Sequence, residues 1–274
     1  MLHYRVYASD PSREWVTFIH GAGGSSSIWY KQIKQYKKHY NVVCIDLRGH
    51  GNSQKAKWKK GDTFLQISED VLEVLDHLTI RFSHFIGISL GTIVVQTLSR
   101  NHPERVSSMI LGGAVIQLDG RTKFLLTIGH TFKYILPFMW LYKLFAWIIM
   151  PRATHSESRY AFVKQAKKMC QKEFIRWFTL TKSLNPYLRH LQVDTKGIPT
   201  LFVMGEEDHL FLAPVKELVR KQKELGLTCL KDSGHVCNID QPESFNEVTL
   251  DFIKRVGERT SKTAPKNFQA SNNC

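Results

Sequence analysis

Ser83-His84-Phe85-Ile86-Gly87-Ile88-Ser89-Leu90-Gly91-Thr92 is the stretch on which the reading of this chain turns. Its first six residues make a short apolar run of the kind that suits a buried parallel strand. Thr92 to Asn101 reads as a helix that ends before Pro103. Between the two, Gly87-Ile88-Ser89-Leu90-Gly91 matches G-x-S-x-G and places a serine on a sharp strand-to-helix turn. The glycines leave space where a Cβ would collide with neighbouring backbone, and the helix N-terminus favours negative charge beside the hydroxyl.

The same alternation extends in both directions. Strand-like runs occupy His3 to Ala8, Trp15 to Ile19, Asn41 to Asp46, Ser107 to Leu111 and Thr200 to Met204, and Ile67 to Leu78 has apolar residues at helical spacing. This predicts an α/β fold with a mostly parallel central sheet covered by helices on both faces. The rhythm breaks in 115–195, which reads as several helices with 13 Lys/Arg against 4 Asp/Glu and holds 14 of the 31 aromatic residues. The expected organisation is therefore a core in two parts, 1–114 and 196–258, with a helical cap inserted at 115–195. The polar segment 259–274 is expected to be a disordered tail. Tyr134 to Met150 is strongly apolar but covers 17 residues and contains Pro137 and Lys143. A spanning helix needs about 20 apolar residues, so this stretch is read as part of the cap.

The chain of 274 residues is long enough to bury a substantial core. Its 38 Lys/Arg against 24 Asp/Glu give a formal charge of +14, which suits anionic partners or simply a lysine-rich solvated surface. The five cysteines form no CxxC pair, and the N-terminal residues lack the apolar run of a secretory signal, so a cytoplasmic setting is expected.

A second glycine-rich turn, His20-Gly21-Ala22-Gly23-Gly24, follows the run Trp15 to Ile19. Such a turn brings backbone N–H groups close to a substrate, and two of them aimed at a tetrahedral oxyanion contribute roughly 3 kcal/mol each. The expected donors are the N–H groups of Ala22 and Leu90. A dinucleotide loop is disfavoured, because position 26 of the G-x-G-x-x-G spacing is Ser26. Serine is a weak nucleophile until a base takes its proton, and twelve histidines compete for that role. His20 and His50 sit in glycine turns, where anchoring of backbone is the plainer use.

From about His3 to Arg255 the sequence resembles the α/β-hydrolase superfamily. The matching pieces are HGAGG at 20–24, DLRGHGNS at 46–53, GISLG at 87–91, GEED at 205–208 and SGH at 233–235. The resemblance implies a serine hydrolase with Ser89 as nucleophile, His235 as base and Asp208 as the acid that orients the base. Glu206 and Glu207 are adjacent rivals for the acid, and the G-x-x-D match favours Asp208. The role of 46–53 looks structural. Dehalogenases and epoxide hydrolases of this superfamily need an aspartate where this chain has Ser89. Cys237 lies near His235 but has no such turn around it and reads as a small buried hydrophobe.

The aromatic cap over these motifs points to a carboxylic ester of a lipophilic acyl group as substrate, with His20, Phe138, Trp140 and Trp147 as candidate pocket residues. No metal or organic cofactor is implied. Lys123, Lys133, Lys143 and Arg152 offer peripheral contact with an anionic membrane. A nucleic-acid partner is disfavoured, since Lys-Ala-Lys-Trp-Lys-Lys at 55–60 is short and belongs to no recognised module. Two alternatives remain open: a ligand receptor or signalling regulator with slow turnover, and a related enzyme such as a C–C bond hydrolase, thioesterase, lactonase or perhydrolase.

Overall fold

The computed structural model describes residues 1–181, 184, 187, 188, 195 and 197–263. Among the described residues seven strands form one sheet in the order β1-β3-β2-β4-β5-β6-β7. They are β1 (Tyr4–Tyr7), β2 (Trp15–Ile19), β3 (Asn41–Ile45), β4 (Ser83–Ile88), β5 (Val106–Gly112), β6 (Thr200–Gly205) and β7 (Gly226–Leu230). Only β1 runs antiparallel, pairing Tyr4 with Ile45 at the edge. Every residue of β3, β4 and β6 is buried, as strands covered on both faces must be.

Helices α1 (Tyr30–Tyr36), α2 (Phe64–His77) and α3 (Leu90–Asn101) follow β2, β3 and β4 in turn. Thr63 caps α2 with a reciprocal capping box: its hydroxyl accepts from the Leu65 N–H, and Gln66 returns a bond to the Thr63 N–H. One core layer packs Val71, Leu75, Ile93 and Val94 of α2 and α3 against the sheet. The opposite layer packs Trp29 and Tyr36 with Phe245 and Ile253.

Between β5 and β6 lie α4 (Gly120–Phe132), α5 (Phe138–Ile149), α6 (Ser156–Ala166) and α7 (Gln171–Leu180). Pro137 separates α4 from α5, so the apolar stretch 134–150 is divided between a turn and one helix. Among the described residues no helix is long and apolar enough to cross a membrane. After β6 come α8 (Leu212–Lys221), the single turn α9 (Cys237–Asp240) and α10 (Pro242–Thr263). The helix α10 runs five residues into the segment 259–274 expected as a tail, and 264–274 lie outside the described residues.

Candidate active site

Ser89 joins β4 to α3 with φ 53° and ψ −118°, a conformation that L-residues adopt only under constraint. The constraint is visible on both sides. The Ser89 N–H donates to the Gly112 carbonyl of β5 (3.0 Å), and the Ser89 carbonyl accepts from the N–H (2.9 Å) and the hydroxyl (2.6 Å) of Thr92. A Cβ on Gly91 would stand 2.3 Å from the Ile19 carbonyl oxygen, and one on Gly87 would stand 2.8 Å from the backbone of Gly91. Only glycine lets β2, β4 and α3 approach this closely.

The sheet then brings distant segments to the hydroxyl. Asp208 follows β6 and His235 follows β7, both buried. His235 Nε2 lies 2.8 Å from Ser89 Oγ, and His235 Nδ1 lies 2.8 Å from Asp208 Oδ2. An imidazole protonated on Nδ1 donates to the carboxylate and accepts from the serine hydroxyl. The other carboxylate oxygen of Asp208 accepts from the Phe211 N–H (3.2 Å), and the Phe211 ring packs at 4.8 Å against the imidazole. Of the adjacent acids, Glu207 turns elsewhere. It accepts hydrogen bonds from Arg152, Thr154 and His155 of the inserted segment. Cys237 is buried, its Sγ donates to the Val203 carbonyl (3.3 Å), and burial pushes its thiol well above the usual range.

Ala22 and Leu90 flank Ser89 on the wall of one cavity. Leu90 opens α3, so its N–H is one of those that lack a carbonyl partner within the helix. The Ala22 peptide is held from outside the loop: the Tyr142 hydroxyl of α5 donates to the Ala22 carbonyl (2.7 Å). The loop is further held by two buried histidines. His50 Nε2 accepts from the Gly23 N–H (2.8 Å), and His20 Nε2 accepts from the Leu47 N–H (3.0 Å). Their Nδ1 atoms face the carbonyls of Arg48 (2.8 Å) and Gly21 (2.7 Å), which fixes both as neutral tautomers. Burial drives His50 down to about 3 and also lowers His20. Asp46 joins the same scaffold, accepting from the N–H groups of Ser26 (2.6 Å) and Asn52 (2.9 Å).

The cavity has a volume of about 180 Å3 and ends on Ser89. Its walls come from α3 (Ile93), α4 (Leu125, Leu126), α5 (Phe145), α7 (Phe178) and the Asp208 turn (Phe211). No charged side chain lines it among the described residues. The four residues expected in the pocket do not line it. His20 is fully buried under the loop and occupied by backbone. Phe138 packs in a tilted arrangement against Phe174 one layer out, and Trp140 and Trp147 face solvent because the inner face of α5 is taken by Leu141, Tyr142 and Ala146. Phe174 and Phe178, four residues apart on amphipathic α7, fill the place given to them. Their spacing is a signal the sequence carried.

A mostly parallel sheet with a serine at this turn, next to a histidine and a carboxylate from later strands, defines a hydrolase of the α/β fold. A family model described as alpha/beta hydrolase fold matches residues 14–127. The putative carbamate hydrolase RutD of Acinetobacter baylyi is 26% identical over 92% of this chain and 98% of its own length. The uncharacterized carboxylesterase nap of Bacillus subtilis is 25% identical over 90% of this chain and 82% of its own. The crystal structure of the enol-lactonase from Burkholderia xenovorans LB400 superposes with a TM-score of 0.78 at 22% identity, covering 92% of this chain and 96% of that one. The chain has the α/β-hydrolase fold.

Proposed function

We propose that the protein hydrolyses a carboxylic ester of a neutral, lipophilic acyl group through an acyl-enzyme on Ser89. The observation that carries this is the unbroken chain from Asp208 Oδ2 through His235 to Ser89 Oγ, two contacts of 2.8 Å, opening into an apolar cavity. Ser89 Oγ attacks the ester carbonyl while His235 Nε2 takes its proton, and Asp208 stabilises the resulting imidazolium. The tetrahedral oxyanion lies against the N–H groups of Ala22 and Leu90. As the C–O bond breaks, His235 returns the proton to the leaving alcohol. Water, deprotonated by the same imidazole, then releases the acid and restores Ser89.

The walls choose among acyl groups. A substrate bearing a carboxylate would leave that charge unpaired in the cavity, which is costly, whereas a hydrocarbon chain gains about 0.8 kcal/mol per buried methylene. The carbamate, ester and lactone bonds in the names of the relatives all present a carbonyl to the serine, which fits the shared chemistry. In this reading α4–α7 are the cap that shapes the acyl site. The test is hydrolysis of p-nitrophenyl esters of increasing chain length by wild type and Ser89→Ala. Medium chains should exceed acetate in kcat/KM, and Ser89→Ala should lose activity by about 10^4-fold or more. Activity retained in Ser89→Ala, or confined to acetate, would refute the assignment.

A further inference from the structure

Helix α5 (FMWLYKLFAWII) is apolar on nearly every side, a composition that belongs in a core or a lipid phase. Yet four of its twelve residues, Trp140, Lys143, Leu144 and Trp147, are exposed. Tyr142, Phe145 and Ile149 face the cavity, whereas Trp140 (67% exposed), Leu144 and Trp147 (58% exposed) share an outward stripe at spacings of four and three. The turn before it adds Tyr134 and Ile135 (73% exposed). Single exposed hydrophobics are ordinary, but eight of the twelve large ones among the described residues fall between Phe124 and Tyr160.

The charge around this stripe selects its partner. Residues 120–181 contain eleven Lys/Arg and two glutamates. Glu157 is tied to Lys31 and Tyr30, and Glu173 is buried against Trp58 and Arg176. Cations stand directly over the exposed rings: Arg159 at 3.9 Å from the centre of Trp147 and Lys164 at 5.5 Å from that of Tyr160. Lys123 and Lys143 are exposed on α4 and α5. Lys133 also stands 5.0 Å from the centre of the Tyr134 ring, but it is buried with its Nζ on Thr179 Oγ1 (3.1 Å), and Arg152 is engaged by Glu207. A second copy of the chain would set like charge against like charge. An anionic bilayer instead receives the indole and phenol rings at headgroup depth and neutralises the lysines.

We propose that the outer face of α5 and the turn before it dock this protein on an anionic lipid bilayer. The inference goes beyond ester hydrolysis and does not depend on it, because nothing on that face touches Ser89. It also sets one helix between the lipid and the cavity.

Co-sedimentation with sucrose-loaded vesicles tests it. Wild type and Ser89→Ala should both partition onto phosphatidylcholine–phosphatidylglycerol vesicles, at least about tenfold more strongly than onto phosphatidylcholine alone, and less so at high salt. Trp140→Ser/Leu144→Ser/Trp147→Ser should lose about tenfold of that partitioning with an unchanged circular-dichroism melt. Should this variant misfold, Lys123→Glu/Lys143→Glu should give the loss instead. Wild type left in the supernatant at low salt overturns the proposal, as does undiminished binding by the folded variant. A concentration-dependent dimer that the triple substitution dissociates would overturn it in favour of self-association.

Discussion

Glu207 and His155 meet at 2.8 Å, and this contact ties the inserted helices to the turn that carries Asp208. His155 is fully buried, and a Cβ on Gly234 would stand 2.7 Å from its ring, so the same imidazole also supports the turn before His235. Burial alone would raise the Glu207 carboxyl, but the hydrogen bonds from Thr154, His155 and Arg152 outweigh it and hold the group below the usual range. Glu207→Gln keeps the shape and removes the charge. It should destabilise the fold by about 1–2 kcal/mol in urea unfolding and slow fluorophosphonate labelling of Ser89, while Glu206→Gln should do neither.

The pair His20 and His50 predicts a pH dependence of stability. Both are lowered by burial, His50 from 6.5 to about 3. The unfolded chain therefore binds protons that the folded chain refuses below about pH 6.5. Their contribution is fully present above that value and declines as the pH falls toward 3. Urea midpoints should be level from pH 7 to 8 and lower at pH 5, and His50→Gln should flatten part of that slope. A midpoint that rises on acidification would contradict the neutral assignment of these rings.

Gly91→Ala tests the close approach of α3 to β2. The added Cβ meets the Ile19 carbonyl oxygen at 2.3 Å, so backbone must move. A loss of about 2 kcal/mol or more is expected, together with loss of labelling at Ser89. Gly61→Ala, where nothing lies within 4 Å, isolates the cost of a positive φ alone.

Leu125→Trp should fill part of the cavity on its α4 wall. The ratio of kcat/KM for medium over short p-nitrophenyl esters should fall about tenfold, with activity on the acetate nearly unchanged. An unchanged ratio would place the acyl chain elsewhere.

How much of this was legible depends on which residues had a local signature. The turn at Ser89 announces itself because Gly87 and Gly91 are demanded by backbone packing. The loop at 20–24 does so for a similar reason. Asp208 was separated from Glu206 and Glu207 only by a family pattern; in the structure the difference is which carboxylate the β6 turn aims at His235. The pocket aromatics were misjudged on α5, since a helix apolar all round carries no periodicity to say which face turns inward. On α7 the periodicity was present in Phe174 and Phe178. The clasp between His155 and Glu207 joins residues 52 apart, and no short-range pattern could have predicted it.

The account rests on Ser89 being a nucleophile that His235 activates. Intact-mass and peptide mass spectrometry after fluorophosphonate treatment measures this directly. The predicted result is a single adduct on Ser89 in wild type, none in Ser89→Ala, and labelling slowed at least about 100-fold in His235→Ala. An adduct elsewhere, or equal labelling without His235, would contradict it.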